Sequence, residues 1–151
     1  MTHAHVATDF SCQTCCLTLA NDASEMPRFY EFIEGLCEKY DYPGAFRMEI
    51  QLALEEALVN VINYAHPKES GRHDIKLNFR QTDNETQFVI TDDGVPFDPT
   101  RQKEVDINAP LEEREVGGLG IHLVRNLMDS MEYRRERGRN VLTLRKRIAQ
   151  L

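Results

Sequence analysis

Three features of this chain predict an α+β fold, a two-layer sandwich with helices on one face of an antiparallel or mixed sheet. Apolar residues recur at helical spacing in "SEMPRFYEFIEGLCEKY", from about Phe46 to His66, and in "GGLGIHLVRNLMDSM". They alternate with period two in "DIKLNFRQ" and "TQFVITD". The length of 151 residues supports one hydrophobic core and leaves too little for two. We therefore expect a single domain spanning residues 1–151.

The elements follow in order. "CCLTLAND" suggests a first strand, with Asp22 or Ser24 placed to cap a helix. In that helix Met26, Phe29, Phe32, Ile33 and Leu36 share a face, and Pro27 falls in the tolerant first turn. "DYPGA" breaks it, and a second helix runs from about Phe46 to His66, where Pro67 stops it. Leu52, Leu58, Val59, Val61, Ile62 and Ala65 are its expected core positions. After a turn at "KESGR", Ile75, Leu77 and Phe79 should point inward, with Lys76, Asn78 and Arg80 outward. "TDNE" turns the chain into "TQFVITD". The pattern then dissolves from Val95 to Gly117, a polar stretch containing Pro96, Pro99 and Pro110. An unstructured segment of that length is usually functional or disordered. A Gly-rich helix start follows, then the strands "EYRRER" and "NVLTLRKR" around Gly138. The order is β-α-α-β-β-loop-α-β-β.

Composition narrows the class. No run of 18 apolar residues exists, so no membrane span is expected. The N-terminus lacks a basic region followed by an apolar one, which favours the cytoplasm. The net charge is −7, unevenly spread: Arg134 to Arg147 hold seven of the 18 Lys/Arg and one of the 25 Asp/Glu, leaving −13 on the rest. An acidic body argues against direct nucleic-acid binding. The basic stretch reads as two strands with solvated faces; an RNA patch or a dock for an acidic partner are the alternatives. Cys12, Cys15, Cys16 and Cys37 are expected to be reduced thiols. Cys12 and Cys15 form a Cys-x-x-Cys that, with His3 and His5, could complete a zinc site, but no second pair follows at finger-like spacing. Small residues entering the first strand are the plainer reading.

Three motifs carry chemistry. In "EEALVNVINYAHP" Glu56 and Asn60 stand one helical turn apart, beside apolar positions. A buried, unpaired carboxylate costs several kcal/mol, so the pair asks for a purpose. An amide oxygen suits a hard cation such as Mg²⁺, and a neighbouring carboxylate can orient or deprotonate a nucleophile. The plain alternative is a solvated acid and a water-bonded amide at the helix rim. "ITDDGVPFDP" ends a strand at Asp92, Asp93 and Gly94; an acid there can accept from an exocyclic amine, or the segment is a simple Asp-Gly turn. "GGLG", Gly117 to Gly120, opens a helix whose free N–H groups can seat a phosphate. It matches neither a Walker A loop nor a Rossmann fingerprint.

The order E-x-x-x-N, D-x-G, long polar loop, G-x-G resembles the GHKL ATPase superfamily of gyrase, Hsp90, histidine kinase and MutL ATP-binding domains. "DDGVPFDP" and "GGLGIHLVRNLMDSMEYRRERGRNVLTL" look like the small anti-sigma-factor serine/threonine kinases within it. The resemblance runs from about Leu17 to Arg147 and implies the GHKL (Bergerat) sandwich, with a mixed, mostly antiparallel sheet. It implies Glu56 as catalytic base, Asn60 as Mg²⁺ ligand and Asp92 as acceptor from the adenine amine, with Gly94 permitting close approach. Residues Val95 to Gly117 would cover ATP, and Gly118, Leu119, Gly120 and Ile121 would meet its phosphates. Two departures stand out. The family often has His three or four positions after the Asn, where this chain has Asn63 and Tyr64, and "GRNV", with Asn140, replaces a commoner Gly-Thr.

The resemblance also implies a substrate and partners: an anti-anti-sigma (STAS-type) protein phosphorylated on Ser, and a sigma factor bound by a kinase homodimer. At this length no helical hairpin or transducer domain is expected, so the unit should act on an external protein. A nucleotide-dependent regulatory binding module, or an ATPase without protein kinase activity, is the second reading. A metal-dependent redox sensor built on Cys12, Cys15 and Cys16 is a third. Glu56 favours the kinase, because a binder needs no base.

Overall fold

The computed structural model describes residues 5–9, 12–67, 71–101 and 118–148, with the backbone alone for 5–9, 12–13 and 118–119. The elements are β1 (His5–Asp9), β2 (Cys12–Ala20), α1 (Met26–Lys39), α2 (Gly44–Tyr64), β3 (Asp74–Gln81), β4 (Glu85–Asp92), α3 (Gly118–Leu127), β5 (Ser130–Glu136) and β6 (Arg139–Arg147). β1 extends the sheet beyond the strand expected from "CCLTLAND". The strand order is β1-β2-β3-β4-β6-β5. Of the antiparallel and mixed arrangements expected, the described residues have the antiparallel one at every pair. Three hairpins, the two-helix return between β2 and β3, and the passage from β4 through α3 and β5 to β6 give the five pairs.

Alternation decides which face meets the helices. On β3, Ile75, Leu77 and Phe79 are buried while Lys76, Asn78 and Arg80 are exposed, as the period-two pattern predicts. On β4, Thr86, Phe88 and Ile90 are buried, and Asp92 continues in phase with them. An acid is thereby carried to the inner face at the strand's end. The β5–β6 hairpin closes through Arg137 (φ 50°) and Gly138 (φ 75°), two left-handed residues that suit a tight turn between twisted strands.

α1 buries Met26, Phe29, Phe32, Ile33, Leu36 and Cys37, the face its spacing predicted. Asp22 accepts from the Ser24 N–H (2.9 Å) just before it. On α2 the buried stripe is Phe46, Ile50, Ala53, Leu54, Ala57 and Leu58. Leu52, Val59, Val61 and Ile62, expected in the core, are only partly buried; Leu58 and Ala65 are buried as expected. Apolar residues cover so much of this helix that periodicity alone does not choose a stripe; the sheet does. The Tyr30 hydroxyl donates to Glu55 Oε1 across the α1–α2 seam (2.5 Å), and that bond leads in pushing its pKa up to about 12.

The cysteines take the plainer reading. Cys12, Cys15 and Cys16 lie on the extended strand β2, where the plainer reading placed them. Cys15 is buried and Cys16 partly exposed. Burial pushes the Cys15 and Cys37 thiols up, which keeps them protonated and unreactive. His3 lies outside the described residues. No described helix is long and apolar enough to cross a membrane.

Candidate functional site

Between α2, the end of β4, α3 and the β5–β6 hairpin lies an open cavity of about 110 Å³. Its walls are mainly apolar, Ile90, Leu142 and Ile121 among them, with Asn60, Asp92 and Asn140 as the polar groups. Tyr64, Val95 and Phe97 line it and are three of the four exposed large hydrophobic residues among those described. Apolar surface left open at one mouth is the mark of a site that a ligand covers.

Asp92 is held firmly and half satisfied. Its Oδ1 accepts from the Gly94 N–H (2.9 Å) and from Asn140 Nδ2 (3.0 Å), while Oδ2 has no partner among the described residues. A buried carboxylate with one oxygen free is an acceptor awaiting a donor. Gly94 is required for geometry: a Cβ there would sit 2.4 Å from Ala65 Cβ. The close approach lets Val95 N–H reach the Ala65 carbonyl at the end of α2 (2.9 Å).

Asn60 lines the same cavity, and its buried Nδ2 has no hydrogen-bond partner among the described residues. Leaving such a group unsatisfied costs about 1–3 kcal/mol, so the amide is not there for packing. Its oxygen is a hard donor of the kind Mg²⁺ takes alongside phosphates and water, and the site fits that ion on this ground.

Glu56 and Gly120 meet beside the cavity without lining it. A Cβ on Gly120 would lie 2.7 Å from Glu56 Oε2, so the glycine makes room for the carboxylate. Glu56 is partly buried and has no hydrogen-bond partner among the described residues. Gly118 is the first residue of α3, and Ile121 is buried against the cavity. The Leu119 side chain, Gly117 and residues 102–116 lie outside the described part, so the expected cover over ATP is seen only at its start. There Asp98 makes a turn with Thr100 N–H (2.9 Å), and Arg125 of α3 holds the Pro99 and Thr100 carbonyls (3.0 and 2.6 Å).

Asn140 is the residue the sequence signalled only as a departure. It faces Asp92 across β4–β6 and is 6% exposed. Its Nδ2 also donates to the Val95 carbonyl (2.8 Å). Its Oδ1 accepts from the Tyr133 hydroxyl (2.6 Å), Arg135 (3.1 Å) and Phe97 N–H (3.3 Å). Arg135 further grips the Gly94 carbonyl (2.7 Å). Strand register, invisible in a single sequence, makes this hub. Asn140→Ala should lower stability by about 2 kcal/mol or more, because it strands several buried partners at once; a denaturant midpoint within error of the wild type would contradict it.

An α+β sandwich with an apolar slot, a fixed acid at one end and a glycine-led helix at the other defines a nucleotide-binding ATPase class. The chain belongs to the histidine kinase-like ATPase domain family, which it matches over residues 19–146. Among its relatives, the serine/threonine-protein kinase BtrW of Bordetella bronchiseptica is 30% identical over 138 residues, covering 89% of this chain and 94% of that protein. The serine-protein kinase RsbW of Bacillus thuringiensis is 28% identical over 130 residues, covering 83% of this chain and 71% of that protein. RsbW of Bacillus anthracis matches with the same identity and coverage.

Proposed function

We propose that this protein is an ATP-dependent serine/threonine protein kinase of the anti-sigma regulatory type. The observation that carries the proposal is the Glu56–Gly120 contact: a carboxylate with no hydrogen-bond partner among the described residues, set against the start of α3, one turn from Asn60. The adenine occupies the apolar slot and donates its amine to Asp92 Oδ2. The phosphates reach the backbone N–H groups of Gly118, Leu119, Gly120 and Ile121. Asn60 would hold Mg²⁺ through its amide oxygen, and that ion, when bound, offsets the charge on the phosphates. Glu56 accepts the proton of a partner serine hydroxyl as its oxygen bonds the γ-phosphorus. The bond to the bridging oxygen breaks and ADP leaves.

The substrate we infer is an anti-anti-sigma protein of the STAS type. Phosphorylating it would free the kinase, as a cytoplasmic homodimer, to hold a sigma factor. The support is the resemblance in "DDGVPFDP" and "GGLGIHL" together with relatives named as serine kinases. Labelled ATP with a candidate STAS partner tests it. Transfer to a partner serine is expected; binding without transfer would favour the regulatory module.

The adenine assignment has its own test in Asp92→Asn. The substitution keeps an oxygen for Gly94 and Asn140 and turns only the free end from acceptor to donor. ATP affinity should fall about ten- to a hundredfold, the worth of a hydrogen bond to a charged group. Selectivity for ATP over GTP should fall with it; undiminished selectivity in competition binding would remove Asp92 from adenine recognition.

A further inference from the structure

Outside the cavity, three side chains from distant parts of the chain converge at the outer side of the Asp92–Gly94 turn. His66 follows the end of α2, His73 precedes β3, and Asp93 follows β4. His66 Nε2 lies 3.1 Å from Asp93 Oδ1, and His73 Nδ1 lies 3.4 Å from Asp93 Oδ2. The two imidazoles stack, with centroids 3.7 Å apart and planes 14° from parallel. One candidate ligand atom from each residue falls within 4.8 Å of the others.

We propose that His66, His73 and Asp93 form a binding site for one divalent transition-metal ion of the zinc class. Two imidazoles and a carboxylate are a zinc-type donor set, and imidazole nitrogen selects against Mg²⁺. Tetrahedral zinc at ordinary bond lengths needs ligand atoms roughly 3.3 Å apart. Each histidine already stands near that value from one oxygen of the Asp93 carboxylate, so small rotations of the rings and of the carboxylate bring the donors onto one ion. Three protein ligands leave a fourth position for water.

The surroundings hold the ligands in place. The His73 backbone is pinned twice to Asn21: its N–H donates to Asn21 Oδ1 (2.9 Å), and its carbonyl accepts from Asn21 N–H (3.0 Å). His66 is fixed from the other side, because Gly94 packs against Ala65 and Val95 N–H bonds the Ala65 carbonyl. The side chain of His66 is 9% exposed, that of His73 24% and that of Asp93 49%, so an ion can enter on the carboxylate side. An ion here would tie α2, β3 and β4 together at the adenine end of the cavity, and the inference stands whether or not the protein is a kinase.

Zinc titration of the untagged full-length protein against a competing chromophoric chelator tests it. One equivalent is expected to bind and to raise the melting temperature. His73→Ala and Asp93→Asn should each weaken binding by at least about tenfold, since even losing a group behind a ligand costs that much. A Cys12→Ser/Cys15→Ser/Cys16→Ser variant should bind as the wild type does. No zinc uptake by the wild type would overturn the site, as would unchanged affinity in both ligand variants or loss confined to the cysteine variant. Circular dichroism of the two ligand variants separates lost binding from lost fold.

Discussion

Glu56→Ala should lower phosphoryl transfer by about 10²–10⁴-fold, the range expected for removing a positioned general base. Nucleotide affinity should stay close to that of the wild type. The reason is local: the Glu56 carboxylate makes no hydrogen bond among the described residues and does not line the cavity. Its loss leaves the adenine end and the Asn60 amide untouched. Single-turnover transfer to a partner serine, measured beside equilibrium binding of labelled ATP, separates the two quantities. A large loss of affinity would reassign Glu56 to binding or folding. A normal transfer rate would remove it from the chemistry.

The second large effect is expected at Gly94. In Gly94→Ala the new methyl would lie 2.4 Å from Ala65 Cβ, 2.6 Å from the Ala65 carbonyl oxygen and 2.8 Å from its Cα. Two of those atoms are backbone at the end of α2, so the strain has no flexible side chain to absorb it. The Val95–Ala65 hydrogen bond and the Asp92 geometry should give way together. We expect a stability loss of about 1–3 kcal/mol, the cost of overpacking, and loss of nucleotide binding. Gly120→Ala makes the contrast, because its methyl would meet only the far end of Glu56, at 2.7 Å. There the fold and nucleotide affinity should survive while transfer falls. Denaturation midpoints, nucleotide titrations and transfer rates of the two variants check the pair; equal stability for both would show that the Ala65 contact relaxes.

The basic stretch from Arg134 to Arg147 finds much of its partnership within the molecule. Lys146 bonds Glu49 (2.7 Å) and the Leu127 carbonyl at the end of α3 (2.6 Å), where a cation suits the helix dipole. Arg145 meets Glu132 at 3.1 Å and Glu85 at 3.7 Å, and Arg134 meets Glu136 at 3.0 Å. The Arg145 and Arg134 pairs lie along β4, β5 and β6, consistent with the expectation of two strands with solvated faces. At such exposure each contributes little.

How much was legible differs by element. β3, β4 and the inward face of α1 could be read residue by residue, because each buries one face and leaves the other in water. α2 resisted, since Leu52, Val59, Val61 and Ile62 are apolar but lie off the buried stripe. In the site, Glu56 and Asn60 could be paired from their four-residue spacing, and Asp92 could be placed at the end of a strand. Asn140 could not, because its role rests on the register that sets it opposite Asp92, and nothing local records that register.

By itself, the sequence determined which residues of β3 and α1 face inward, where the turns fall and which polar groups are too costly to sit beside apolar positions without a purpose. Those are properties of period, propensity and solvation, and each acts over a few neighbouring residues. Only the tertiary structure decided that Glu56 meets Gly120, that Asn140 holds Asp92 by one oxygen, and that His66, His73 and Asp93 share a corner. Such meetings depend on how strands pair and helices lie across them, and that is settled by packing the whole core at once.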